Sequence, residues 1–187
     1  MAFWDEWRVS RDLRARAGAF VASLCVEPAE GDVAWLAASA AGGDADHARW
    51  ELRYARRALG LLAAQRDALD DRTASVVARA LGEALARDPA IAPGKLRVAE
   101  RQLNARLRAY GEALANRAGA GSGWHLGRTL LEFAGHRDAV PPELVARASE
   151  ILSHYLAEAN ASLRERFGSA ALPEHEVPSS IARSARR

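Results

Sequence analysis

Apolar side chains return every three or four residues along most of this chain, in segments separated by glycine, proline or paired acids. The clearest run sets Trp50, Tyr54, Ala58, Leu61, Leu62 and Leu69 on one stripe. That spacing gathers them on one face of a helix and would scatter them over both faces of a strand. The same period relates Leu13, Ala17, Phe20, Val21 and Leu24, then Leu96, Leu103, Leu107, Tyr110 and Leu114, and finally Leu144, Ala148, Ile151, Tyr155, Ala159 and Leu163. The chain is therefore expected to be all-α, its helices burying their stripes against one another.

Local stop and start signals divide the pattern into candidate segments at 5–25, 29–41, 46–69, 71–88, 93–118, 124–134 and 142–167. The segment 29–41, bounded by Pro28 and Gly42-Gly43, reads equally as a packed loop, so the expectation is a bundle of about six helices. Asp44 or Asp46 is placed to cap the helix that follows, and Asp70-Asp71 marks a break before Val76, Val77, Leu81 and Leu85. Pro141-Pro142-Glu143 opens the last long helix and Gly168 closes it. The run Gly119-Ala120-Gly121-Ser122-Gly123 is the best internal linker because glycine makes a helix entropically costly. Length places 1–168 in one helical domain with that linker inside it, and 169–187, rich in Ser, Pro and Arg without periodicity, is expected to be a flexible basic tail.

Composition narrows the packing. Of 187 residues, 43 are alanine and only 12 are aromatic, which calls for helices whose axes approach closely rather than a core filled by large rings. No apolar run approaches the ~20 residues of a membrane span. The start of the chain, Met1 to Trp7, carries acids where a secretory signal needs basic residues, and Cys25 is the sole cysteine. Those features predict a cytoplasmic protein without disulfides or thiolate metal sites. The 26 cations face 24 acids. Lys95 is the only lysine, a bias that codon usage explains as readily as selection for guanidinium chemistry.

No motif demands a reaction. Gly127-Arg128-Thr129 imitates the end of a phosphate loop, but Gly121 lies six residues before Gly127, Arg replaces the lysine and a helix precedes the loop instead of a strand. His136-Arg137-Asp138 matches a kinase triplet with none of its accompanying motifs. Glu150, His154 and Glu158 line one side of the last helix, where a solvated face accounts for them better than a metal. No catalytic residue, metal or cofactor is predicted, and the reading leans away from an enzyme.

Three surfaces remain as candidates. Phe3, Trp4 and Trp7 form an aromatic cluster suited to a partner interface, because tryptophan is costly in water and favoured at interface centres. His47, Trp50, Tyr54 and Gln65 fall near one apolar stripe and suggest a small-molecule pocket between helices. Arg49, Arg53, Arg56 and Arg57 gather away from the core stripe of their helix, as do Arg97, Arg101 and Arg108 on another; Arg49, Arg53, Arg56, Arg97, Arg101 and Arg108 are the candidate contacts to nucleic acid. The leading expectation is a non-enzymatic interaction protein acting as a homo-oligomer or as a subunit or adaptor of a larger assembly. Nucleic-acid binding and a small-molecule-binding bundle are the alternatives.

Overall fold

Helix ends fall where the local chemistry puts them. The computed structural model describes residues 2–67, 71–116, 121–136 and 139–168, the side chains of residues 2–9 and of Asp67 excepted. Seven helices are present and no strand among the described residues: α1 (Ala2–Leu24), α2 (Glu30–Ser39), α3 (Ala45–Asp67), α4 (Asp71–Ala86), α5 (Leu96–Ala115), α6 (Gly121–Ala134) and α7 (Pro142–Phe167). The segment that read equally as a loop is α2, whose Glu30 and Asp32 sit in the first turn where the helix dipole favours negative charge. Gly42 and Gly43 end it with φ of 61° and 87°, a left-handed conformation that side chains resist. Asp44 then caps α3, its Oδ1 accepting the His47 amide at 2.9 Å. The N-terminal Pro142 of α7 and the positive φ of Gly168 after it match the expected punctuation.

The expected linker is corrected in part. Residues 117–120 lie outside the described residues, but Gly121, Ser122 and Gly123 form the first turn of α6. The glycines here serve contact. A Cβ on Gly127 would meet the Val145 carbonyl oxygen at 2.4 Å and the Ser149 amide nitrogen at 2.9 Å, and one on Gly123 would meet Ser149 Oγ at 3.0 Å. Close approach to α7 repays the entropic cost that argued against a helix. The expected tail, 169–187, lies outside the described residues. No helix among the described residues is long and apolar enough to cross a membrane.

The seven helices form one domain with α3 at its centre, in contact with every other helix. Beside its expected stripe, α3 buries a second one, Ala48, Leu52, Ala55, Leu59 and Ala63. A helix buried on two sides leaves little room for charge, yet α3 carries Arg49, Glu51, Arg53, Arg56 and Arg57. Each is paired with a different neighbour. Arg49 donates to Glu30 of α2 at 2.8 Å, Arg53 to Glu27 at 2.8 Å, Arg56 to Glu158 of α7 at 2.8 Å and Arg57 to Asp88, just past α4, at 2.6 Å. Glu51 accepts from Arg106 of α5, with Arg106 Nε at 2.9 Å from Oε2. Arg57 was expected on the face away from the core. It is instead only 4% exposed, because α4 folds back beside α3 and covers that face.

The Glu51–Arg106 pair is the deepest of these, with side chains 3% and 8% exposed. Gln102 accepts a further hydrogen bond from Arg106, and the guanidinium lies 4.1 Å over the Phe133 ring and 5.5 Å over that of Tyr54. Breaking such a pair from one side strands a buried charge, which costs about 3–5 kcal/mol, whereas replacing both partners with apolar side chains is often close to neutral. Arg106→Ala and Glu51→Ala are therefore each expected to lower the unfolding free energy by about 3–5 kcal/mol. The double variant Glu51→Leu/Arg106→Met should lose far less, as measured by urea denaturation. A second comparison tests the α6–α7 contact: Gly127→Ala should destabilise by about 1–3 kcal/mol through overpacking. Gly82→Ala on α4, where the added methyl meets nothing within 4 Å, should stabilise by about 0.5–1 kcal/mol.

Candidate functional site

The side chains of Phe3, Trp4 and Trp7, the expected partner interface, lie outside the described residues, although their backbone belongs to α1. Three of the four pocket candidates come together. His47, Trp50 and Tyr54 share a face of α3: His47 Nε2 is 3.2 Å from the Phe133 carbonyl oxygen, and the Trp50 and Tyr54 rings stand 5.4 Å apart at 31°. The space beside them is occupied by arginine. Arg53 covers Trp50 at 4.8 Å, and Arg106 lies between Tyr54 and Phe133. Gln65 is exposed, three turns further along α3. This face is a packed stack of rings and guanidinium groups.

The arginines proposed for nucleic acid divide in two. Arg49, Arg53 and Arg56 on α3 are held in the ion pairs described above, so their charge is already opposed by carboxylates. Arg97, Arg101 and Arg108 on α5 are exposed and have no ion pair among the described residues. Exposed Glu100 and Glu112 share that helix. On α7, Glu150, His154 and Glu158 are all exposed: Glu150 accepts from Arg147 at 3.2 Å, and His154 lies 3.4 Å from Glu158. Among the described residues no group of three or more His, Cys, Asp and Glu is arranged to hold a metal ion. Gly127, Arg128 and Thr129 lie inside α6, with Arg128 donating to Glu132 and Thr129 to the His125 carbonyl, both at 2.8 Å. The backbone amides of a helix interior are used within the helix and cannot cradle phosphate. Arg137 and Asp138 lie outside the described residues.

One concavity among the described residues was not expected from the sequence. It is a groove of about 920 Å³ between α1 and α4, closed at one end by Arg53 and Arg57 of α3 and by Asp88 to Ala90. Arg14, Gly18, Val21 and Cys25 line it from α1, and Arg72, Val76, Ala80, Ala84 and Arg87 from α4. Spacings of three and four put each set on one face of its helix. Small residues in the middle of both faces leave the space above them unfilled, so the floor is apolar and the charged residues stand around it. A signal was present in the pairs Gly18/Ala22 and Ala80/Ala84, four residues apart on their helices. Its meaning depended on α1 lying against α4, which no local pattern states. A smaller concavity of about 460 Å³ lies between α5 and α6 around Ala109, His125 and Thr129.

The groove's carboxylates are all committed. Glu27 is paired with Arg53, Asp88 with Arg57, and Glu83 with both Arg79 at 3.4 Å and Arg87 at 3.1 Å. Arg57 is buried and gives only Nη2 to Asp88; its Nε and Nη1 are buried without an acceptor. A buried donor left unsatisfied costs about 1–3 kcal/mol. Burial raises the hydroxyl pKa of Tyr54 and Tyr110 and pushes that of Tyr155 up to about 12, keeping all three as neutral phenols.

Comparison with protein-family models, with curated proteins and with solved structures finds no match to this chain. The geometry of the groove therefore carries the functional reading.

Asp88 links the groove to pH. Its burial works to raise its pKa, but the hydrogen bond from Arg57, the Ala90 amide at 3.0 Å and the nearby charges of Arg57 and Arg53 together hold it below the ordinary value of 3.8. A carboxylate depressed in the folded state stabilises the fold above its unfolded pKa and loses that contribution as pH falls through the folded value. Denaturation at a series of pH values should show the wild type more stable than Asp88→Asn at pH above about 5. The difference between them should shrink steadily as the pH is taken to and below 3.8.

Proposed function

We propose that this protein is a small-molecule-binding helical bundle whose ligand occupies the groove between α1 and α4. The observation that carries the reading is the groove itself: its volume of about 920 Å³ falls within the range of ligand sites, and it combines an apolar floor with converging polar groups. The groups at its closed end belong to the rigid centre of the fold, since Arg53 and Arg57 project from the helix that touches every other. A site anchored this way keeps its shape before a ligand arrives, which lowers the ordering cost of binding.

The other readings draw less support. Nucleic-acid binding through two combined arginine faces loses the α3 half of its surface to ion pairs with Glu27, Glu30 and Glu158. A partner interface at Phe3, Trp4 and Trp7 rests on side chains outside the described residues.

Titration of the isotopically labelled full chain with a library of small fragments, followed by amide and methyl NMR, tests the reading. Saturable shifts should gather on Val21, Cys25, Val76 and Ala80. Shifts that gather around Ala109, His125 and Thr129, or no saturable shift with any fragment, would overturn it.

A further inference from the structure

The lining of the groove is unbalanced in charge, and its balance specifies a ligand. Six arginines, Arg14, Arg53, Arg57, Arg72, Arg79 and Arg87, stand against three carboxylates, Glu27, Glu83 and Asp88. All three carboxylates already accept from arginines of the groove. Arg14 of α1 and Arg72 of α4, both lining the groove, have no ion pair among the described residues. The excess is therefore not cancelled within the site. Low-dielectric helical walls on both sides concentrate its field toward the groove.

Arg57 adds an observation independent of that count. It is 4% exposed, lines the groove, and keeps Nε and Nη1 without an acceptor while Asp88 takes Nη2. A guanidinium cannot relieve this by losing a proton, as a buried lysine can. Its unused donors call for an oxygen acceptor, and a charged one binds them most strongly. The floor between the arginines, Val21, Ala22, Val76, Ala80 and Ala84, offers nothing to a polar body and favours an apolar one.

We propose that the ligand is an amphipathic organic anion: an apolar body lying along the α1–α4 floor with a carboxylate, sulfonate or phosphate group held by the groove arginines. The assignment rests on the small-molecule reading and narrows it to one chemical class. Arg57 is a binding residue at the closed end, and Arg14 of α1 and Arg72 of α4 supply further attraction. Neutral or cationic molecules with the same body lack the group that the unpaired donors require.

The test uses two probes with the full chain: anilinonaphthalene sulfonate, and phenylnaphthylamine, which has the same rings without the sulfonate. Fluorescence titration should give an affinity for the sulfonate about tenfold or more above that for the neutral probe, the scale of one charge-assisted hydrogen bond. Arg57→Lys and the double variant Arg14→Ala/Arg72→Ala should each remove most of that advantage and leave binding of the neutral probe unchanged. The double variant changes only exposed side chains and should keep the wild-type melting temperature, so a loss of binding in it is not a loss of fold. Equal affinity for the two probes, or sulfonate binding indifferent to all three arginines, would overturn the anion assignment and leave a groove that takes neutral ligands. Binding of neither probe would remove the small-molecule reading and the assignment together.

Discussion

Helix α3 is buried on two sides and carries charge on both, and the rest of the structure is arranged around that conflict. Arginine stays ionised in any protein interior, and a buried charge without a partner costs several kcal/mol. Arg49, Arg53, Glu51, Arg56 and Arg57 of α3 are therefore met by partners from different parts of the chain: Glu30 from α2, Glu27 from the turn after α1, Arg106 from α5, Glu158 from α7 and Asp88 from the turn after α4. An alanine-rich core with few large rings has little shape of its own to choose between ways of packing helices. Charge pairing supplies that choice, since a helix docked in the wrong place would leave Glu51 or Arg57 buried alone.

The groove follows from the same arrangement. Arg53 and Arg57 reach toward the α1 and α4 side of α3, and the acids that hold them, Glu27 and Asp88, lie at the ends of the elements that bound the groove. The ion pairs that fasten the bundle thus form the closed end of the α1–α4 groove. Both Glu51 oxygens accept from Arg106, whereas Arg57, which borders the groove, gives only Nη2 to Asp88. The ring cluster of His47, Trp50 and Tyr54 has its space filled by Arg53 and Arg106.

How far each feature could be read in advance tracks the distance over which its cause acts. The cap at Asp44, the proline start of α7 and the stripes through Phe20, Leu81 and Ile151 are set within one or two helical turns, and they appear where expected. Gly121 and Gly123 misled because an isolated helix gains nothing from glycine, whereas α6 gains contact with α7. Arg57 misled for a related reason. One stripe on α3 makes the opposite face look solvated, but the second stripe, Leu52, Ala55 and Leu59, lies in the same residues and is buried too.

Helical class, the inward stripes and the helix limits set by caps and prolines, the start of α6 excepted, were thus encoded locally, through periodicity, caps and the backbone preferences of glycine and proline. The partners that tie Glu51 and the α3 arginines to other elements were not, because these pairs join residues between 19 and 102 positions apart and charge carries no address until the helices are docked. Whether Arg56 and Arg57 face water, nucleic acid or a carboxylate is the same question in the sequence. Only the docking of α4, α5 and α7 around α3 answers it, and the groove exists because α1 and α4 present their small residues to each other.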